Sequence, residues 1–144
     1  DEPTAGLDPV ARHEVLAELI DVLRDEDRSI LFSSHNTRDV EQISDCITFI
    51  DRGRIVESAD KETFLDRWRR LRLRTAEGFT LPSVPGVISA EASGRITTVT
   101  TRDFLPAIES IFERAGAVVE DVQRMTLEEI FVANVMHSRE EIAE

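Results

Sequence analysis

Two adjacent carboxylates, Asp1 and Glu2, open the run Asp1-Glu2-Pro3-Thr4-Ala5-Gly6-Leu7-Asp8-Pro9, and an imidazole, His35, follows the apolar stretch Ile30-Leu31-Phe32. Paired carboxylates can hold a divalent cation or its waters, and one of them can take a proton from an attacking water. Such a pair needs a rigid element to aim it at a metal. Gly6 permits a tight backbone path and Asp8-Pro9 is suited to start a helix, so the run joins chemistry to a defined exit. Taken singly, an Asp-Glu step is ordinary solvated surface and a His after a strand is an ordinary capping residue. Their joint occurrence, in this order, is what points to a function.

The elements that would position these residues can be read in turn. Asp8 as N-cap and Pro9 as first helical residue predict a helix, with Val15, Leu16, Leu19, Ile20 and Leu23 as its apolar stripe. Arg24 to Arg28 closes it in a charged loop. Ser29-Ile30-Leu31-Phe32-Ser33 is short and almost unbroken in hydrophobicity, which predicts a parallel strand buried on both faces. Asn36 or Thr37 caps a second helix reaching about Ser44, with Val40 and Ile43 inward. Cys46 to Ile50 is expected to return as a buried strand, making Cys46 an inert core thiol and implying a right-handed strand-helix-strand crossover. Asp51-Arg52-Gly53-Arg54 predicts a turn with positive φ at Gly53 and Ile55 to Ser58 as the second arm of a hairpin. Asp60 then caps a helix containing Phe64, Leu65 and Trp68. In open parallel α/β sheets ligands gather at the carboxyl ends of strands, so Asp1-Glu2 ending one strand and His35 ending the next would be neighbours.

Near residue 70 the composition changes. Leu71 and Leu73 alternate with arginines, which predicts a strand with one apolar face and a domain seam. Arg67, Arg69, Arg70, Arg72 and Arg74 are read as its solvated face, paired with carboxylates, in preference to a phosphate or lipid-headgroup site. Residues 76–86 read as a loop. Val87 to Ala92 and Arg95 to Thr101 flank Ser93-Gly94 as a hairpin. A helix follows from about Phe104 to Ala115 with Leu105, Ile108, Ile111 and Phe112 on one face, ended by Gly116. Val118 to Gln123 reads as a strand. Thr126 caps a last helix with Glu129 at capping-box spacing and Leu127, Ile130, Phe131 and Val135 as its buried stripe. Arg139 to Glu144 is expected to fray. His13 and His137 are read as surface residues.

The chain has 144 residues, 41% hydrophobic and 32% charged, enough for one modest core, or for part of one with a small appended unit. A net charge of −12 opposes binding nucleic acid through the overall field. The single cysteine excludes an internal disulfide framework and a cysteine-rich zinc site. No apolar run approaches bilayer-spanning length, so direct membrane insertion is not expected.

The nine-residue run resembles the carboxylate end of the Walker B motif joined to the D-loop of the ATP-binding cassette (ABC) ATPases. The fold class implied is α/β: residues 1–70 as the last part of a P-loop NTPase parallel sheet with its helices, and residues 71–144 as a small accessory α+β domain. The resemblance implies ATP and Mg²⁺ as cofactors of the full-length protein. Asp1 would be the metal-side carboxylate and Glu2 the general base that polarises the water. Ala5-Gly6-Leu7-Asp8 would be the D-loop, with Gly6, Leu7 and Asp8 reaching the nucleotide site of a second subunit, and His35 the switch histidine that contacts the γ-phosphate. The implied partners are a second ATPase subunit, closing over nucleotide as a sandwich dimer, and a transmembrane permease subunit; nucleic acid is not among them. The implied location is cytoplasmic, peripheral on the cytoplasmic face of the cell membrane.

Parts of the family pattern are missing from this sequence. There is no Gly-x-x-x-x-Gly-Lys-[Ser/Thr] run, and the only lysine is Lys61, away from any such glycines. The expectation is therefore a carboxyl-terminal portion of a longer ATPase, inactive by itself and binding ATP poorly or not at all. Ala5-Gly6 resembles transporter subunits more than the ribosome-acting branch, where Asn-His usually stands. The tail ending in Met125-Thr126-Leu127-Glu128-Glu129-Ile130-Phe131 resembles the small domain of many bacterial exporters. Two alternatives stay open: a soluble non-transport ABC ATPase, and a non-catalytic regulatory or dimerising module.

Overall fold

Two hydrophobic clusters organise the chain in a computed structural model that describes residues 1–25 and 27–143. The class is mixed α/β, as expected. Among the described residues every paired strand runs antiparallel to its neighbour.

Helix α1, Pro9–Val22, starts as its sequence dictates: the Asp8 carboxylate accepts from the Val10 and Ala11 backbone N–H groups at 2.9 and 3.1 Å. Its apolar stripe is only partly covered, with Leu16 buried and Ile20 exposed. Glu26, in the charged loop that follows, lies outside the described residues. Residues 29–33 form no strand. Their apolar composition is that of a two-sided strand, but a strand exists only through its ladder, and here Leu31 is fully exposed. A single bond, from the Glu2 N–H to the Ser33 carbonyl at 2.7 Å, ties this segment to the carboxylate loop by its backbone.

Helix α2, Thr37–Ile43, is capped by Asn36, whose side chain accepts from the Arg38 and Asp39 N–H groups. Strand β1, Cys46–Asp51, then pairs with β2, Arg54–Asp60, about a turn in which Arg52 and Gly53 both take positive φ. The expected crossover is absent, because β1 has β2 as its sheet partner and residues 29–33 have no ladder. Consequently β1 is buried on one face alone. Ile47 and Phe49 point inward while Cys46, Thr48 and Ile50 are exposed. Cys46 is thus not a core thiol. Its Sγ donates to the Asp60 carboxylate at 3.3 Å, and that acceptor raises the thiol pKa above its ordinary value, with burial and the charges of Asp60 and Asp45 adding to it, which disfavours the thiolate. Asp60 stands at the cap position of helix α3, Lys61–Arg67, without making a side-chain cap bond.

Strand β3, Arg69–Arg74, is the centre of a four-stranded sheet with order β4-β5-β3-β6. Strands β4, Val87–Ser93, and β5, Ile96–Thr101, form a hairpin whose two-residue turn is Gly94-Arg95, one position later than expected. Helix α4, Ala107–Arg114, is shorter than its pattern suggests; Leu105 precedes it and is exposed. Strand β6, Val118–Arg124, returns beside β3, so β5, α4 and β6 form a split β-α-β unit around the central strand. The apolar face of β3 packs Leu71 and Leu73, both fully buried, with Val99, Ile108 and Phe112.

The other cluster joins the hairpin β1–β2 and α3 to the last helix, α5, Leu127–Ala143. Ile47, Phe49, Phe64 and Trp68 meet Met125, Leu127 and Ile130 there, with Phe49 stacked in tilted geometry on Phe64 and Phe131. Thr126 and Glu129 form the expected capping box: the Glu129 carboxylate accepts from the Thr126 N–H at 2.9 Å and the Thr126 hydroxyl from the Glu129 N–H at 3.3 Å. Residues 139–143 remain helical where fraying was expected, and Arg139 anchors them by a two-pronged bond to Asp51; Glu144 lies outside the described residues. His137, read as a surface residue, is half-buried and lies 3.4 Å from Glu141.

Most of the arginine run behaves as read. Arg67 pairs with Asp103, Arg70 with Glu129, and Arg72 and Arg74 share Glu120. Arg69 pairs with Asp66 only at 3.9 Å and is not on the solvated face: it is buried, donates to the Leu65 and Trp68 carbonyls at 2.6 and 2.8 Å, and lies over the Phe104 ring.

Candidate functional site

The carboxylate loop and the segment ahead of α2 meet through side chains. Glu2 Oε1 accepts from the His35 backbone N–H at 2.8 Å and lies 2.7 Å from His35 Nδ1, while Oε2 accepts from the Ser34 hydroxyl at 3.0 Å. For Nδ1 to donate, the ring must carry its proton there. The Asp1 carboxylate accepts from the Ser33 hydroxyl. Glu2 also sits at φ 47°, a backbone region that non-glycine residues seldom occupy and that costs about 1–3 kcal/mol. Its backbone is held on both sides, by the bond to Ser33 and by the Ala5 N–H donating to the Glu2 carbonyl at 3.1 Å.

The electrostatics follow from these contacts. The His35 ring bond, then the His35 backbone N–H, hold the Glu2 carboxyl below its ordinary pKa; burial opposes them, and the Ser34 bond adds to them. These contacts favour the ionised form of Glu2. The His35 ring is 87% exposed, which leaves its Nε2 edge open to a ligand.

The remaining residues singled out from the sequence are placed as follows. Gly6 takes φ 74°, and a Cβ there would meet nothing within 4 Å, so its role is backbone conformation and not close packing. Gly6, Leu7 and Asp8 are exposed, with the Asp8 carboxylate occupied in capping α1. Among the described residues no three His, Cys, Asp or Glu side chains are grouped to hold a metal. Exposed Asp1 beside Glu2 fits the lesser part that Mg²⁺ asks of protein when it keeps waters and takes phosphate oxygens. Lys61 donates to the Glu41 carbonyl at 3.0 Å and is engaged away from this loop.

Sequence reasoning missed Ser34 and Asp39. Ser34 gives no signal beyond its place next to His35. Asp39 could have been found, since it lies four positions before Ile43 and so on the same, inward face of α2.

No family model matches the chain. Curated proteins do. Over 67 residues, 46% of this chain and 28% of the relative, it is 42% identical to the thiamine import ATP-binding protein ThiQ of Rhizobium meliloti. It is 32% identical over 73 residues to the ABC transporter ATP-binding protein YtrB of Bacillus subtilis, spanning 51% of this chain and 25% of that one. It is 34% identical over 71 residues to the energy-coupling factor transporter ATP-binding protein EcfA2 of Staphylococcus epidermidis, spanning 49% and 25%. These relatives are ABC transporter ATP-binding proteins. The similarity covers about half of this chain, and the matched stretch is about a quarter of the length of these ABC relatives. No helix among the described residues is long and apolar enough to cross a membrane.

Proposed function

We propose that this chain is part of the ATP-hydrolysing subunit of an ABC transporter, in which nucleotide binding and hydrolysis drive a membrane partner between states. The observation that carries the reading is the contact of Glu2 with His35, a carboxylate and an imidazole brought together from two segments that both resemble the family's motifs. Similarity to ABC transporter ATP-binding proteins supports it.

In this reading Glu2 orients and polarises the attacking water, and His35 presents its outer edge to the γ-phosphate. Asp1 contributes to Mg²⁺, which when bound would neutralise the phosphate charge. Gly6, Leu7 and Asp8 face a second ATPase subunit. Residues 1–70 belong to the ATPase domain and 71–144 to an accessory domain, sharing the cluster built on α5. The partners are that second subunit and a transmembrane permease, and the location is the cytoplasmic face of the membrane. Export is the finer form of the proposal. It rests on the Leu127-Glu128-Glu129-Ile130-Phe131 run alone, and one relative is an import protein by name. The phosphate cradle must come from outside these residues, so the chain by itself should bind ATP poorly.

The test is Glu2→Gln in the longer protein that contains this chain. Turnover should be abolished with Mg²⁺-ATP binding retained; undiminished hydrolysis would refute the assignment.

A further inference from the structure

Asp39 is 3% exposed, yet it is a carboxylate on the first turn of a surface helix. Its Oδ2 accepts from the Thr4 hydroxyl at 2.5 Å, and its Oδ1 takes Arg12 Nε at 2.7 Å and an Arg12 terminal nitrogen at 2.5 Å. Three elements converge on one side chain: the carboxylate loop through Thr4, α1 through Arg12, and α2 itself. Among the described residues no buried side-chain nitrogen or oxygen lacks a partner, so this network is closed.

We infer that Asp39 is a positioning residue for the Glu2–His35 pair, an inference that rests on the reading given under Proposed function. Packing alone does not account for it, because a buried ion pair is often no more stabilising than apolar residues of the same volume. What it adds is direction. Thr4 lies two residues after Glu2 and Asp39 four residues after His35, so the loop and the histidine segment are tied at two points: Glu2 to His35, and Thr4 to Asp39. Two ties fix an orientation where one would allow the loop to pivot. The second matters more because Glu2 is held at φ 47°, a conformation the loop would leave if released. Arg12 completes the arrangement by compensating the buried charge with a two-nitrogen grip, which prevents the carboxylate from turning away from Thr4.

The consequence is kinetic. Misplacement of an aligned group by about 1 Å can cost on the order of 100-fold in rate. In the longer protein, Asp39→Asn keeps the shape and removes the charge, and it should lower kcat for ATP about 10- to 100-fold with KM changed less than about threefold. Thr4→Val should act in the same direction, and Thr4→Ser, which keeps the hydroxyl, should restore most of the rate. The Asp39→Asn/Thr4→Val double variant should be no slower than the worse single one, since both remove the same tie. Thr4→Val leaves the Arg12–Asp39 pair in place, so it carries the test even if Asp39→Asn fails to fold. Unchanged kcat in Thr4→Val, losses that multiply in the double variant, or a fall in rate matched by a fall in folded protein would each overturn the inference. Glu2→Gln is assayed in parallel. If it retains turnover, the functional reading falls and takes this inference with it; if it abolishes turnover while Thr4→Val leaves the rate intact, only the role of Asp39 falls.

Discussion

Residues 29–35 and strand β3 both set apolar residues beside polar or charged side chains, and they are held in different ways. Strand β3 is laddered on both sides, to β5 and to β6, and its leucines are fully buried beneath α4. Residues 29–33 have no ladder, Leu31 is fully exposed, and the segment is fixed mainly by side chains reaching it from the carboxylate loop. The sheet is therefore defined by its own backbone and core. The candidate site is defined by polar contacts: Glu2 to His35, Asp1 to Ser33, Thr4 to Asp39. Substitutions at exposed His35 or half-buried Glu2 should therefore cost function more than stability, whereas the sheet should show the reverse.

The largest effect that would sharpen this contrast lies in the sheet. Phe112→Ala removes a fully buried ring over β3 and should cost about 3–5 kcal/mol. Urea denaturation followed by the fluorescence of buried Trp68 measures it; a loss under about 1 kcal/mol would mean that the sheet lacks the packed core described. Next comes the titration of Glu2. Its carboxyl is held below the ordinary value by His35, so this contact contributes stability above the unfolded-state pKa, and the contribution is lost as pH falls through the lower, folded-state pKa. Carbon-detected NMR should find the Glu2 midpoint below that of an exposed glutamate, and His35→Ala should move it upward. A midpoint indifferent to that substitution would break the contact on which the site rests. The smallest effect belongs to Leu31→Ala, which should change stability by less than about 0.5 kcal/mol because the side chain touches little. A larger loss in the same urea experiment would show that residues 29–33 are covered after all.

What could be read in advance follows the same division. The turn at Gly53, the capping box of Thr126 and Glu129, and the alternation of Leu71 and Leu73 with arginine are local rules satisfied within a few residues, and each appears as expected. Residues 29–33 depart from their pattern because a run of apolar residues specifies a two-sided strand only if neighbours pair with it. Cys46 departs from expectation for a related reason: Cys46-Ile47-Thr48-Phe49-Ile50 reads as continuous hydrophobicity, but with one sheet partner and one covered face its period is two. Arg69 looked like its neighbours and is buried because it alone reaches the Leu65 and Trp68 carbonyls. In the candidate site the residue types at Asp1, Glu2 and His35 were legible as chemistry. Which atoms meet was not, since the Glu2–His35 and Thr4–Asp39 contacts join positions more than thirty residues apart.

The central claim is that Glu2 and His35 act as one unit on bound nucleotide. It is tested most directly by steady-state ATP hydrolysis of the longer protein as wild type, Glu2→Gln, His35→Ala and the double variant. Each single change should lower kcat, and the double variant should be no slower than Glu2→Gln alone, because residues that work as a unit are not additive. Losses that multiply in the double variant, or a Glu2→Gln protein that hydrolyses ATP at the wild-type rate, would contradict the account.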